Sequence, residues 1–127
     1  MKIKHLIAGM FLASALVIPV SAHHSFAMFD QSITTTLDAT VTKFKWTNPH
    51  AWVEVTVLDD TGKKQTWAVE MTSPNNLMRE GFKRRTFRPG DKVDLVINPL
   101  RSGKSGGAFV GAKLADGTVL GIVSSEK

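Results

Sequence analysis

Residues 51–58 alternate without a break: Trp52, Glu54, Thr56 and Leu58 fall on one face of an extended chain, and Ala51, Val53, Val55 and Val57 on the other. A period of two marks a strand with one buried face. Asp59-Asp60-Thr61-Gly62 supplies a hairpin turn. Residues 65–71 return as a second alternating strand, with Trp67, Val69 and Met71 on one side. The middle of the chain is thereby committed to antiparallel sheet.

The flanking segments extend that reading. Residues 32–46 are strand-like: Ile33, Leu37, Ala39, Val41 and Phe44 stand among threonines, which suit a pleated surface. Thr47-Asn48-Pro49-His50 interrupts with a turn, because Pro49 fixes φ and biases Asn48 away from helix. Ser73-Pro74 predicts a short helix over residues 74–80. Ser73 can cap its free N–H groups, Pro74 suits the first helical position, and Gly81 stops it. A turn is expected at Phe87-Arg88-Pro89-Gly90-Asp91 and a strand over residues 93–97, ending near Pro99. Residues 101–107 read as a flexible glycine- and serine-rich loop. Residues 109–114, the turn Asp116-Gly117 and residues 119–123 read as a final hairpin. The order predicts an all-β domain with one short helix, a small five- or six-stranded OB-like barrel (the oligonucleotide/oligosaccharide-binding type). In that architecture the helix plugs the barrel end between the third and fourth strands. A flatter two-sheet sandwich is the alternative.

The start of the chain reads differently. Lys2 and Lys4 precede an apolar run over residues 6–17, Pro19 breaks any helix, and Val20-Ser21-Ala22 offers the small residues of a cleavage site. Residues 1–22 are expected to be a signal peptide, with the mature chain starting at His23 in the periplasm or secreted. The apolar run is too short for a stable membrane span. Residues 23–31 are expected to form an arm packed by Phe26 and Phe29, and residues 32–127 the OB-like domain. About 105 residues remain after such processing, enough for one modest core. No cysteine occurs, so neither a lipid attachment site nor a disulfide framework is available. Without Lys2 and Lys4 the balance is 14 basic against 11 acidic residues. Much of the excess lies in Lys83-Arg84-Arg85, Arg88, Arg101 and Lys104. It is mild for a nucleic-acid binder and reads mainly as a solvated face.

Three histidines remain after residue 22: His23, His24 and His50. Cleavage after Ala22 would give His23 a free α-amine, and amine plus imidazole can chelate a metal. A second imidazole completes a histidine brace, and nitrogen ligands in a plane suit Cu(II). An arm docked beside the Asn48-Pro49 turn would bring His50 to His23, and His24 can replace either imidazole. Glu70 or Met28 would cap the site, the carboxylate favouring Zn(II) or Cu(II) and the thioether Cu(I). The metal candidates are therefore His23, His24 and His50, with copper the expected ion. Structural readings compete. His50 can bond a turn carbonyl and close the barrel mouth, and His23 and His24 can form a solvated tail. Glu70, in a half-buried strand, can pair with Arg79 or Arg84. At least two of Trp46, Trp52 and Trp67 belong in the core rather than on a binding platform.

Catalytic motifs are missing. Gly103-Lys104-Ser105 lacks the glycine a phosphate loop needs five residues before Gly103, where Asn98 stands. No Gly-x-Ser-x-Gly elbow and no cysteine nucleophile occur. No catalytic residue is assigned, and an enzyme is not expected.

Further stretches carry a family likeness: His23-His24-Ser25-Phe26-Ala27 with Phe29-Asp30, Trp46-Thr47-Asn48-Pro49-His50, and Glu70-Met71-Thr72-Ser73-Pro74 with Leu77, Arg79 and Gly81. Gly90-Asp91 and Leu114-Ala115-Asp116-Gly117 add to them. On these the chain resembles a family of small exported bacterial proteins of unknown function (domain of unknown function 6152). The resemblance spans nearly the whole mature domain and implies an exported, compact β domain. Phe82 stands where that family favours tryptophan, a change of packing. Three functional classes stay open. They are a periplasmic copper carrier or sensor, a noncatalytic module for a small ligand, glycan or partner protein, and an accessory subunit of an exported or membrane-bound enzyme.

Overall fold

The structure is a computed structural model that describes residues 26–122. The expected signal peptide, His23 and His24 lie outside the described residues. After a single 3-10 turn at Phe26–Met28 come β1 (Thr35–Lys45), β2 (Trp52–Leu58), β3 (Lys64–Glu70), α1 (Pro74–Arg79), β4 (Lys92–Pro99), β5 (Gly106–Leu114) and β6 (Val119–Gly121).

Five strands close on themselves. β1 pairs with β2 and β4, β2 with β3, and β4 with β5, all antiparallel. A parallel run of β3 against β5 completes the circle. β6 lies outside it, on the far half of β5. This is the OB-like barrel that the element order predicts, with the helix between the third and fourth strands. The long β1 serves two partners, β4 from Thr35 to Thr40 and β2 from Ala39 to Lys45. A bulge between Val41 and Lys43 bends it from one to the other. Thr42, the residue at the bulge, donates its hydroxyl to the Glu54 carbonyl at 3.0 Å.

The alternation of β2 maps onto this barrel as read. Ala51, Val53 and Val55 are fully buried, whereas Leu58 is exposed. They meet Val41, Val69, Leu95 and Ile97 in one core. Trp46 and Trp67 pack on that core partly buried. The helix starts as expected: Ser73 caps it by accepting the Asn76 N–H, and Pro74 opens the first turn. Leu77 is fully buried, and Gly81, at φ +91°, ends the helix in a conformation that favours glycine.

Two expectations need correction. β1 begins at Thr35 rather than residue 32. More consequentially, Gly106 and Gly107 belong to β5 and not to a flexible loop. Their lack of a side chain reads as loop in the sequence but answers a crowding requirement. A Cβ at Gly106 would lie 2.9 Å from Leu100 Cδ1 and 3.1 Å from the Ala68 carbonyl. One at Gly107 would lie 2.7 Å from both the Asn98 carbonyl oxygen and Ile97 Cδ1. Glycine lets β5 approach its neighbours closely enough to close the barrel.

The β2–β3 hairpin is held by Asp59. Its carboxylate accepts the Thr61 hydroxyl at 2.6 Å, the Thr61 and Lys63 N–H groups at 2.9 Å each, and the Gln65 amide at 3.2 Å. These bonds favour the charged form and lower the Asp59 pKa, the Thr61 hydroxyl most and the Lys63 N–H next. A carboxyl depressed on folding stabilises fully above its unfolded pKa, and that contribution is lost as pH falls through the folded value. Asp59→Asn should therefore be less stable than the parent at pH 7, and the difference should shrink as pH falls below about 4. Urea midpoints at pH 7 and pH 3 for both proteins measure this.

Candidate functional site

The Asn48-Pro49 turn delivers His50 to the end of the β2–β3 ladder. Thr47 donates its hydroxyl to the His50 carbonyl at 3.1 Å. Beyond it, Ala51 exchanges hydrogen bonds with the β3 exit, donating to Thr72 O at 3.1 Å and accepting from Met71 N at 2.9 Å. The His50 ring therefore lies over the end of β3. Its Nδ1 is 2.9 Å from the Met71 carbonyl oxygen and 3.2 Å from Glu70 Oε1. A carbonyl and a carboxylate both accept, so Nδ1 is assigned the proton. Nε2 then carries the lone pair, and no described residue bonds it.

Glu70 is the buried charged side chain among the described residues. It sits in β3 between Trp52 of β2 and Ala108 of β5. The expected partners Arg79 and Arg84 do not reach it; His50 does. The reason is register. Counting back from the hairpin turn sets Trp52 opposite Glu70, so the residues just before β2 cross the end of β3.

His50 and Glu70 open onto a cavity of about 450 Å³. Trp52, Pro49 and Leu100 form part of its apolar wall, and Gly106 and Gly107 contribute the edge of β5. A further part of the wall is the N-terminal arm, through Met28 and Phe29. Its docking is specific. Phe29 is buried and bridges to Leu100, while Asp30 N donates to the Pro99 carbonyl at 2.8 Å. Arg101 clasps the arm from the other side, its backbone N bonding Met28 O at 2.9 Å and its Nε bonding Ala27 O at 3.0 Å. Its guanidinium also stands 3.7 Å from the Asp30 carboxylate. That carboxyl is held below its ordinary pKa, first by the Ser32 hydroxyl, with Arg101 adding the smallest share. Phe26, expected to pack the arm together with Phe29, lies with its ring 6.3 Å from that of Phe29 but is mostly exposed.

Of the metal candidates, His50 is in this cavity, and His23 and His24 lie outside the described residues. Among the described residues no group of three His, Cys, Asp or Glu side chains is close enough to hold an ion. Two features escape a reading of the sequence. One is the pairing of Glu70 with His50, which the hairpin register signals. The other is the arm as a wall of the cavity, for which only the apolar Met28-Phe29 pair gives a hint. No helix among the described residues is long and apolar enough to cross a membrane.

Comparison with known proteins adds a family. The profile of a family of unknown function (DUF6152) matches residues 11–109, and the chain belongs to that family. No curated protein and no solved structure matches it.

Proposed function

We propose that this member of the DUF6152 family is an exported copper-binding protein, a carrier or sensor rather than an enzyme. Its metal ligands are His50 and an amino-terminal His23. One observation carries the reading: the Nδ1–H of His50 is tied to Glu70 and the Met71 carbonyl, which frees Nε2 for a ligand at the cavity. A carboxylate behind the far nitrogen of an imidazole is the usual support of a metal-ligating histidine, fixing its tautomer and raising its basicity. In this reading Glu70 orients the ligand and does not itself bind the ion.

Connectivity supports the partner. The arm is clasped at residues 27–30 beside His50, and three residues of chain reach at most about 10–11 Å. His23 is thus tethered within that distance of Phe26, which lies just before the cavity wall. Its amine and imidazole, with His50 Nε2, make three nitrogen ligands, a set suited to Cu(II). His24 is the substitute imidazole.

Titration of Cu(II) into protein beginning at His23 tests this, after intact mass has established cleavage behind Ala22. One residue added before His23 should abolish the chelate ring and weaken binding strongly, as should His50→Ala. Glu70→Gln should cost about 10- to 100-fold, the usual effect of losing such support. Equal affinities in native, extended and His50→Ala forms would defeat the proposal. They would favour the second reading, a noncatalytic module whose cavity takes a small apolar ligand, for which about 450 Å³ is an ordinary size.

A further inference from the structure

A separate surface, away from the cavity, carries an interaction of its own. Phe82 and Phe87 are the two largest fully buried side chains, and they bracket Lys83-Arg84-Arg85-Thr86. They pack on each other with ring centres 6.0 Å apart. Phe82 also meets Phe109 edge-on at 5.5 Å, and Phe87 meets Phe44 at 5.2 Å. Between these anchors the chain closes in one tight turn. Thr86 N donates to the Lys83 carbonyl at 2.9 Å, and Lys83 N donates to the Thr86 hydroxyl at 2.7 Å. Lys83, Arg84 and Arg85 are all exposed. The result is a firm knuckle that holds three consecutive cations away from the barrel.

No salt bridge among the described residues engages them. Arg79 and Arg88 flank the knuckle, and none of these five cations forms an ion pair among the described residues. Of the acids nearby, Asp91 accepts the Arg88 backbone N–H at 2.8 Å through Oδ2, and neither Glu80 nor Asp116 pairs with the cluster. Adjacent like charges repel, and the fold itself does not call for them, since Phe82 and Phe87 do the anchoring. The missing complement is a multivalent anion.

We propose that the knuckle docks this protein on an anionic phospholipid surface. A protein partner would be expected to find an aromatic or apolar anchor to seat in a pocket. Here the aromatic side chains of Phe82 and Phe87 are buried in the core, and the exposed apolar residue nearest in sequence is Met78, on the last turn of α1. An exposed run of cations suits a broad field of phosphates, where each cation adds to a screened attraction.

Co-sedimentation with vesicles decides the matter. Full-length mature protein is mixed with vesicles of equal phosphatidylglycerol and phosphatidylcholine, or of phosphatidylcholine alone. Binding is expected only to the anionic vesicles and should weaken as salt rises. The variant Lys83→Gln/Arg84→Gln/Arg85→Gln should bind about 100-fold more weakly. A matched control, Lys63→Gln/Lys64→Gln/Lys104→Gln, removes the same charge from the β2–β3 turn, the start of β3 and the β4–β5 loop. It should change binding less than about threefold, because those cations are not part of the knuckle. Thermal melts confirm that both variants stay folded. Equal losses in the two variants would reduce the effect to net charge and overturn the proposal, as would no binding to anionic vesicles. Retention by immobilised polyglutamate under conditions where vesicles are not bound would also overturn it and assign the knuckle to an acidic polypeptide.

Discussion

Phe87→Ala should destabilise the domain by about 3–5 kcal/mol, the range for removing a fully buried aromatic ring. Phe87 has 2% of its surface exposed and is gripped by Phe44 at 5.2 Å and Phe82 at 6.0 Å. Phe44 comes from β1, while Phe82 follows α1, so the ring joins the barrel wall to the segment that leads into β4. Truncation forfeits the apolar burial and leaves a void between elements that cannot collapse onto one another without distorting β1. A domain of this size has a total stability of about 5–15 kcal/mol, so about a fifth or more is at stake. Urea denaturation should show a lower midpoint with an unchanged slope. A loss under about 1 kcal/mol would mean that the aromatic cluster repacks freely.

Gly107→Val should also be damaging, by overpacking rather than by a void. The first added carbon would lie 2.7 Å from the Asn98 carbonyl oxygen, a backbone atom that cannot rotate away. Gly107 pairs with Pro99 on one side and Val69 on the other, so it is wedged between β4 and β3. Relief requires β5 to move off one of them. Overpacking of this kind costs about 1–3 kcal/mol and sometimes more. Faster amide exchange at Ala108 and Glu70, together with a lower urea midpoint, would register the opening. Unchanged exchange would mean that the seam tolerates the extra bulk.

Much of the barrel was legible because its signals are local. The period of two in residues 51–58 gave both faces of β2, and Ser73-Pro74 gave the helix start. What stayed hidden is what distant segments decide. Glycine at 106 and 107 has the composition of a loop, and only the approach of Ala68, Ile97, Asn98 and Leu100 explains it as strand. The parallel pairing of β3 with β5 leaves no pattern in either strand. At the site, His50 and Glu70 were each singled out, but with other partners in view. An arginine is the usual guess for a buried carboxylate, and the histidine wins here because the hairpin register carries the turn before β2 across the end of β3. The arm showed itself in part: Phe29 is anchored as its apolar character suggests, while Phe26 is exposed.

The β3–β5 seam also bears on how a guest enters. It joins only Ala68–Glu70 to Gly106–Ala108, whereas the other barrel junctions run much longer. Two of its members are glycines with no side chains to interlock. Local opening follows the path that breaks the fewest contacts, and this strip offers it. The same strip, through Ala68, Gly106 and Gly107, borders the cavity beside His50. Brief parting of the seam would therefore widen the chamber while the core between β1, β2 and β4 stays intact. The barrel would then combine a durable interior with a side opening, and access to His50 would depend on how often the seam parts as well as on the resting shape.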